Sequence, residues 1–93
     1  MNFSSQEENV LETRVAIIGI IVENDGVVPK IQEQLSKYSE YIIGRMGIPY
    51  GKRNIRVISI AIDAPMDIIN ALTGKIGRLE GVSAKAVYQK NID

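Results

Sequence analysis

Thr13-Arg14-Val15-Ala16-Ile17-Ile18-Gly19-Ile20-Ile21-Val22-Glu23 is the stretch whose reading decides the fold. From Val15 to Val22 no side chain is polar, and six of the eight residues are Val or Ile. β-Branched side chains favour an extended backbone, and the run is too short to span a bilayer. It reads as a strand buried on both faces, which the remainder of a 93-residue chain has to cover.

Outward from this strand, Asn24-Asp25-Gly26-Val27-Val28-Pro29 carries a cap residue followed by a first-turn proline, the signal for a helix start. Val28, Ile31, Leu35 and Tyr38 then recur at helical spacing, which predicts a helix from about Gly26 to Ser39. A second strand follows over Tyr41–Ile48, with Ile42, Met46 and Ile48 alternating against Arg45. Pro49 to Asn54 is a loop or hairpin connection. Ile55–Ile62 is a third strand with Ile58, Ile60 and Ile62 on one face. Asp63-Ala64-Pro65 opens a second helix, whose stripe is Ile68, Leu72, Ile76 and Leu79 with Ile69 at its edge. Gly81 stops it, and Val82–Tyr88 is the fourth strand.

The order β-α-β-β-α-β is the split βαβ pattern: an α+β, ferredoxin-like sandwich with a four-stranded antiparallel sheet and two helices on one face. Residues 1–12 form a polar, acidic lead-in expected to be flexible, 13–90 the domain, and 91–93 a tail. Strands one and three, apolar on both faces, belong in the centre; strands two and four, carrying Arg45 and Lys85, belong at the edges. Helices on one side leave the other face of the sheet uncovered, and that face is apolar whichever parity of strand one it takes. Such a surface predicts a homo-oligomer, a dimer or tetramer assembled through the free face or the sheet edges. The alternative is a twisted sheet whose end the two tails cover.

Composition excludes several chemistries. Eleven basic residues balance eleven acidic ones, so no net charge draws the chain to nucleic acid or an anionic membrane. Cysteine and histidine are both absent, which removes thiol nucleophiles, Cys-zinc and iron–sulfur sites and the usual neutral-pH base. No metal, cofactor or catalytic residue is expected. Without a leader-like N-terminus the expected location is the cytoplasm.

Three places are candidates for binding. The Asp25-Gly26 corner offers helix N–H groups and a close backbone approach; an ordinary capped turn would look the same. Arg45, Lys52, Arg53 and Arg56 fall in a region without acidic residues, either an anion site or a solvated edge hairpin that resists aggregation. Asn70, Gly74 and Gly77 lie opposite the apolar stripe of the second helix, where glycine costs about 1 kcal/mol relative to alanine. They suit the close approach of a subunit or ligand, or else a helix that loosens early.

Taken together, Thr13–Glu23, Arg45-Met46-Gly47-Ile48-Pro49-Tyr50 and Ala71-Leu72-Thr73-Gly74-Lys75-Ile76-Gly77-Arg78-Leu79-Glu80-Gly81-Val82 resemble the iron-only hydrogenase system regulators over nearly the whole chain. The resemblance implies an ACT-like domain similar to the C-terminal sensing domain of the nickel-responsive repressor, and assembly as dimers or tetramers. It departs where that domain binds nickel through histidines and a cysteine. The twelve residues before Thr13 are too few for a ribbon-helix-helix, so direct DNA binding is not expected. The reading is a non-enzymatic regulatory module with a small-molecule effector at a subunit interface. A structural interaction module, or an enzyme using the Arg45/Lys52/Arg53/Arg56 patch on an anionic substrate, are the alternatives.

Overall fold

A computed structural model describes residues 12–90. Most of the lead-in and the whole tail, residues 1–11 and 91–93, lie outside the described residues, and so does the expectation that they are flexible. The elements are β1 (Arg14–Val22), α1 (Val28–Lys37), β2 (Ile42–Tyr50), β3 (Ile55–Ala64), α2 (Met66–Gly77) and β4 (Val82–Tyr88), with short 3-10 turns on either side of α1. The strands form one antiparallel sheet in the order β2-β3-β1-β4. The two apolar strands are central, as their composition requires, and the ferredoxin-like arrangement is the one read from the element order.

Alternation along β1 and β3 sorts the core. Ala16, Ile18, Ile20 and Val22 of β1 and Ile58, Ile60, Ile62 and Ala64 of β3 are buried beneath the helices with Ile31, Leu35, Ile69, Leu72 and Ile76. Among the described residues no charged or polar residue is buried with them. The odd-numbered residues of β1 are exposed, so a strand expected to be buried on both faces is covered by its own chain on one.

Boundaries and rotations differ from the sequence reading in five places. The Asn24 Oδ1 accepts from the Gly26 N–H at 3.0 Å and caps a 3-10 turn, Asp25–Val27, before α1 begins at Val28. Asp63 remains in β3 rather than capping α2, whose first turn is bound instead by Asp67 Oδ1 accepting from the Ile68 N–H. Within α2 the buried line is Ile69, Leu72 and Ile76, with Ile68 and Leu79 at its edge. The helix ends at Gly77, and Gly81 instead supplies the positive φ, 75°, of the turn into β4.

The fifth difference has the largest effect. Strand β2 runs on to Tyr50, and its register with β3 shifts between Ile42 and Gly44. This β-bulge inserts one residue, Ile43, so the alternation reverses after it. Ile42, opposite buried Ile62, faces the helices; Met46 and Ile48, opposite Ser59 and Val57, face the other way. Identical spacing in the sequence therefore ends on opposite sides of the sheet.

Candidate functional site

The register places the free face in three full rows across the sheet. Ile48, Val57, Ile21 and Ser83 form one; Met46, Ser59, Gly19 and Lys85 the next; Gly44, Ala61, Ile17 and Val87 the third. Val15, Ile17, Ile21, Met46, Ile48, Tyr50 and Val87 are all exposed, Val87 to 72%. A contiguous apolar face of this kind is what marks an interaction surface on a small domain. Two shallow depressions lie on it. One of about 410 Å³ is lined by Val15, Ala16, Ile17, Val87, Tyr88 and Gln89, and one of about 250 Å³ by Ile17, Gly44, Arg45, Met46, Ser59 and Ala61. An added Cβ at Gly19 or Gly44 would meet nothing within 4 Å. These glycines leave open hollows in the face.

The Asp25-Gly26 corner is built differently. Its Gly26 amide is already satisfied by Asn24, and the turn abuts the α2–β4 connection, where the Glu23 N–H donates to the Gly81 carbonyl at 2.7 Å. Asp25 lies 3.7 Å from the Arg56 guanidinium. The Arg56 Nε is buried without a hydrogen-bond partner among the described residues. Thus Arg56, read from sequence as part of the basic patch, joins the corner.

The other cations do not converge with it. Arg45 pairs with Ile60 in the ladder and donates from its guanidinium to Gln32 of α1, while Arg56 pairs with Pro49 four residues further along β3. Four residues of strand separate them by roughly 13 Å. Lys52 and Arg53 sit at the exposed tip of the β2–β3 hairpin.

The three α2 residues also part company. The Tyr88 hydroxyl donates to Asn70 Oδ1, tying helix to edge strand. A Cβ at Gly77 would lie 3.6 Å from the Ala84 Cβ, so this glycine packs on β4 rather than facing outward. Gly74 has only the Arg78 side chain beside it. The rotation that centres Ile69 turns this edge of the helix toward the sheet.

Among the described residues no group of three or more Asp, Glu, His or Cys could hold a metal ion, and no helix is long and apolar enough to cross a membrane. Sequence reasoning missed the Asp25–Arg56 pair because residues 31 positions apart carry no local signal. It missed the outward turn of Met46 and Ile48 because nothing in Ile42-Ile43-Gly44 marks a bulge except the glycine.

Comparison with known proteins gives the same architecture. No curated protein sequence matches. The uncharacterized protein TM1266 from Thermotoga maritima is similar over 85% of this chain and 100% of its own, with 34% identity and a TM-score of 0.81. A formyltetrahydrofolate deformylase from Pseudomonas putida KT2440 is similar over 83% of this chain and 30% of its own, with 10% identity and a TM-score of 0.61. At that identity the likeness is one of fold. The TM1266-like family model, with the description "Iron-only hydrogenase system regulator, putative", matches residues 14–86, and the chain belongs to that family.

Proposed function

We propose that the chain is a non-enzymatic, cytoplasmic regulatory domain of ACT-like type that works as a homo-oligomer. The observation that carries this reading is the uncovered apolar face with Ile17, Met46, Ile48 and Val87 exposed on it. The family description supplies the regulatory role, and with it a link to an iron-only hydrogenase system. A small-molecule effector would bind where subunits meet. Asp25 and Gly26, with Arg56 beside them, are its best-grouped contacts, and Arg45, Arg53, Asn70 and Gly74 are secondary candidates; Gly77, packed on β4, drops out of the set.

A second reading, a purely structural interaction module, is favoured by one observation. The polar groups at the proposed effector contacts are largely engaged within the chain: the Gly26 amide by Asn24, Arg45 by Gln32, and Asn70 by Tyr88. Light scattering at micromolar concentration tests the common element, and a monomer mass would remove both readings. Thermal shift with amino acids, nucleotides and small anions at millimolar concentration separates them, since a ligand that binds only the folded state raises the melting temperature. No shift with any of these probes leaves the structural module.

A further inference from the structure

The lead-in joins the sheet at one end of the free face. β1 begins at Arg14, opposite Ala64, and Val15 is its first residue on that face. The larger depression starts there, between Val15, Ile17 and Val87. Charge on the face is sparse and one-sided. Lys85 stands on β4 in the row of Gly19, exposed and in no ion pair among the described residues. Asp63 stands on β3 in the row of Val15. Residues 1–12 carry Glu7, Glu8 and Glu12 and neither lysine nor arginine, with Phe3 before the Glu7-Glu8 pair and Val10-Leu11 after it.

We propose that residues 1–11 fold back over the β1–β4 half of their own chain's free face, with Val10 and Leu11 on the depression and the Glu7-Glu8 pair against Lys85. Spacing supports this placement. An extended chain advances about 3.4 Å per residue, as β1 beneath it does. With the reversal at Glu12-Thr13, Val10 comes over Val15, Glu7 within one residue of the Gly19–Lys85 row, and Phe3 within one residue of Ile21. Both edges of β1 are filled by β3 and β4, so the segment packs on the face through side chains instead of joining the sheet. An added Cβ at Gly19 would meet nothing within 4 Å, which leaves room for the crossing backbone. Asp63 repels the acidic run from the β3 side, and Lys85 draws it toward β4. A short tether gives the segment an effective concentration of about millimolar at this face, so modest contacts hold it. A second copy that takes the same half has to displace it. The family match begins at residue 14, so the cover is built from residues outside the matched domain.

Carbodiimide coupling of the full chain at submicromolar concentration tests the cover, since it joins a carboxylate to a lysine amine only where the two meet. An equal mixture of ¹⁵N-labelled and unlabelled chains separates links within a chain from links between chains by mass. Lys75 on α2 and Lys52 at the hairpin tip are exposed controls away from the free face. Lys85 is expected to link to Glu7 or Glu8, within one chain, at least about fivefold more than either control. Val10→Asp with Leu11→Asp, which removes the apolar contacts and leaves the described core untouched, should lower that yield about fivefold. Equal yields at Lys85, Lys75 and Lys52 overturn the cover. So does an isotopically mixed Lys85 link, which assigns the segment to a second copy, or a yield unchanged by the double aspartate variant, which leaves charge alone holding it. None of these outcomes bears on the mass measured by light scattering, so the cover and the homo-oligomer reading fail separately.

Discussion

Gly81 and Asn24 touch where two connections cross: a Cβ placed on Gly81 would come 2.9 Å from the Cβ of Asn24, and Gly81 holds φ at 75°. The contact locks the end of β1 to the start of β4, beside the 2.7 Å hydrogen bond from the Glu23 amide to the Gly81 carbonyl. Gly81→Ala therefore meets both a steric clash and a left-handed backbone. The expected loss is about 1–3 kcal/mol in urea denaturation, and a loss under 0.5 kcal/mol would show that the turn relaxes freely.

Asn24 also caps the turn leading into α1 through Gly26. Asn24→Ala should cost about 1 kcal/mol. The atom that crowds residue 81 is the Asn24 Cβ, which alanine keeps, so Asn24→Ala with Gly81→Ala should lose about the sum of the two, whereas Asn24→Gly with Gly81→Ala should lose less than its sum; double-mutant cycles measure both.

Neighbouring residues of β1 should respond in opposite ways. Ile18 is fully buried, and Ile18→Ala should destabilise by about 2–5 kcal/mol through lost burial and the cavity left behind. Ile17 is 51% exposed, so Ile17→Ala should change unfolding of the isolated chain by less than about 1 kcal/mol. Its effect should appear in association, as weaker self-assembly in sedimentation.

Gly74 stands mid-helix with only the flexible end of Arg78 near the site of an added Cβ, at 3.3 Å. If no ligand or subunit needs that space, Gly74→Ala should stabilise the chain by about 1 kcal/mol through helix propensity. A stability gain accompanied by loss of association or of an effector-induced thermal shift would instead identify Gly74 as a contact.

Arg56 and Asp25 form a pair with Asp25 largely exposed, so the pair itself is worth no more than about 1 kcal/mol. Asp25→Asn should leave stability within that margin. An anion that raises the melting temperature of wild type and more strongly that of Asp25→Asn would mark the Arg56 guanidinium as its contact, since removing the carboxylate frees it.

The fold was legible where side-chain periodicity follows backbone geometry. The even–odd alternation of Ile58, Ile60 and Ile62, the β-branched run of β1, and Ile31 with Leu35 on α1 all define buried faces through nearest-neighbour spacing. Legibility ended where placement depends on distant residues. Asp25 and Arg56 meet only because β1 and β3 are paired, with Val22 opposite Arg56. Asn70 reads as an outward polar residue until β4 brings Tyr88 to it. Gly77 was equally open to an outside partner or to close packing on a strand, and only the distance to Ala84 distinguishes them.

The bulge at Ile43 acts as a parity digit in the chain. Every residue from Gly44 to Tyr50 takes its side of the sheet from the number of residues that precede it, odd or even, and not from its own chemistry. One additional backbone unit converts a strand that would have shown its apolar members inward into one that shows them outward. Gain or loss of a single residue, with no change to any side chain that touches the surface, is thus a route by which such a sheet could acquire or discard a sticky exterior.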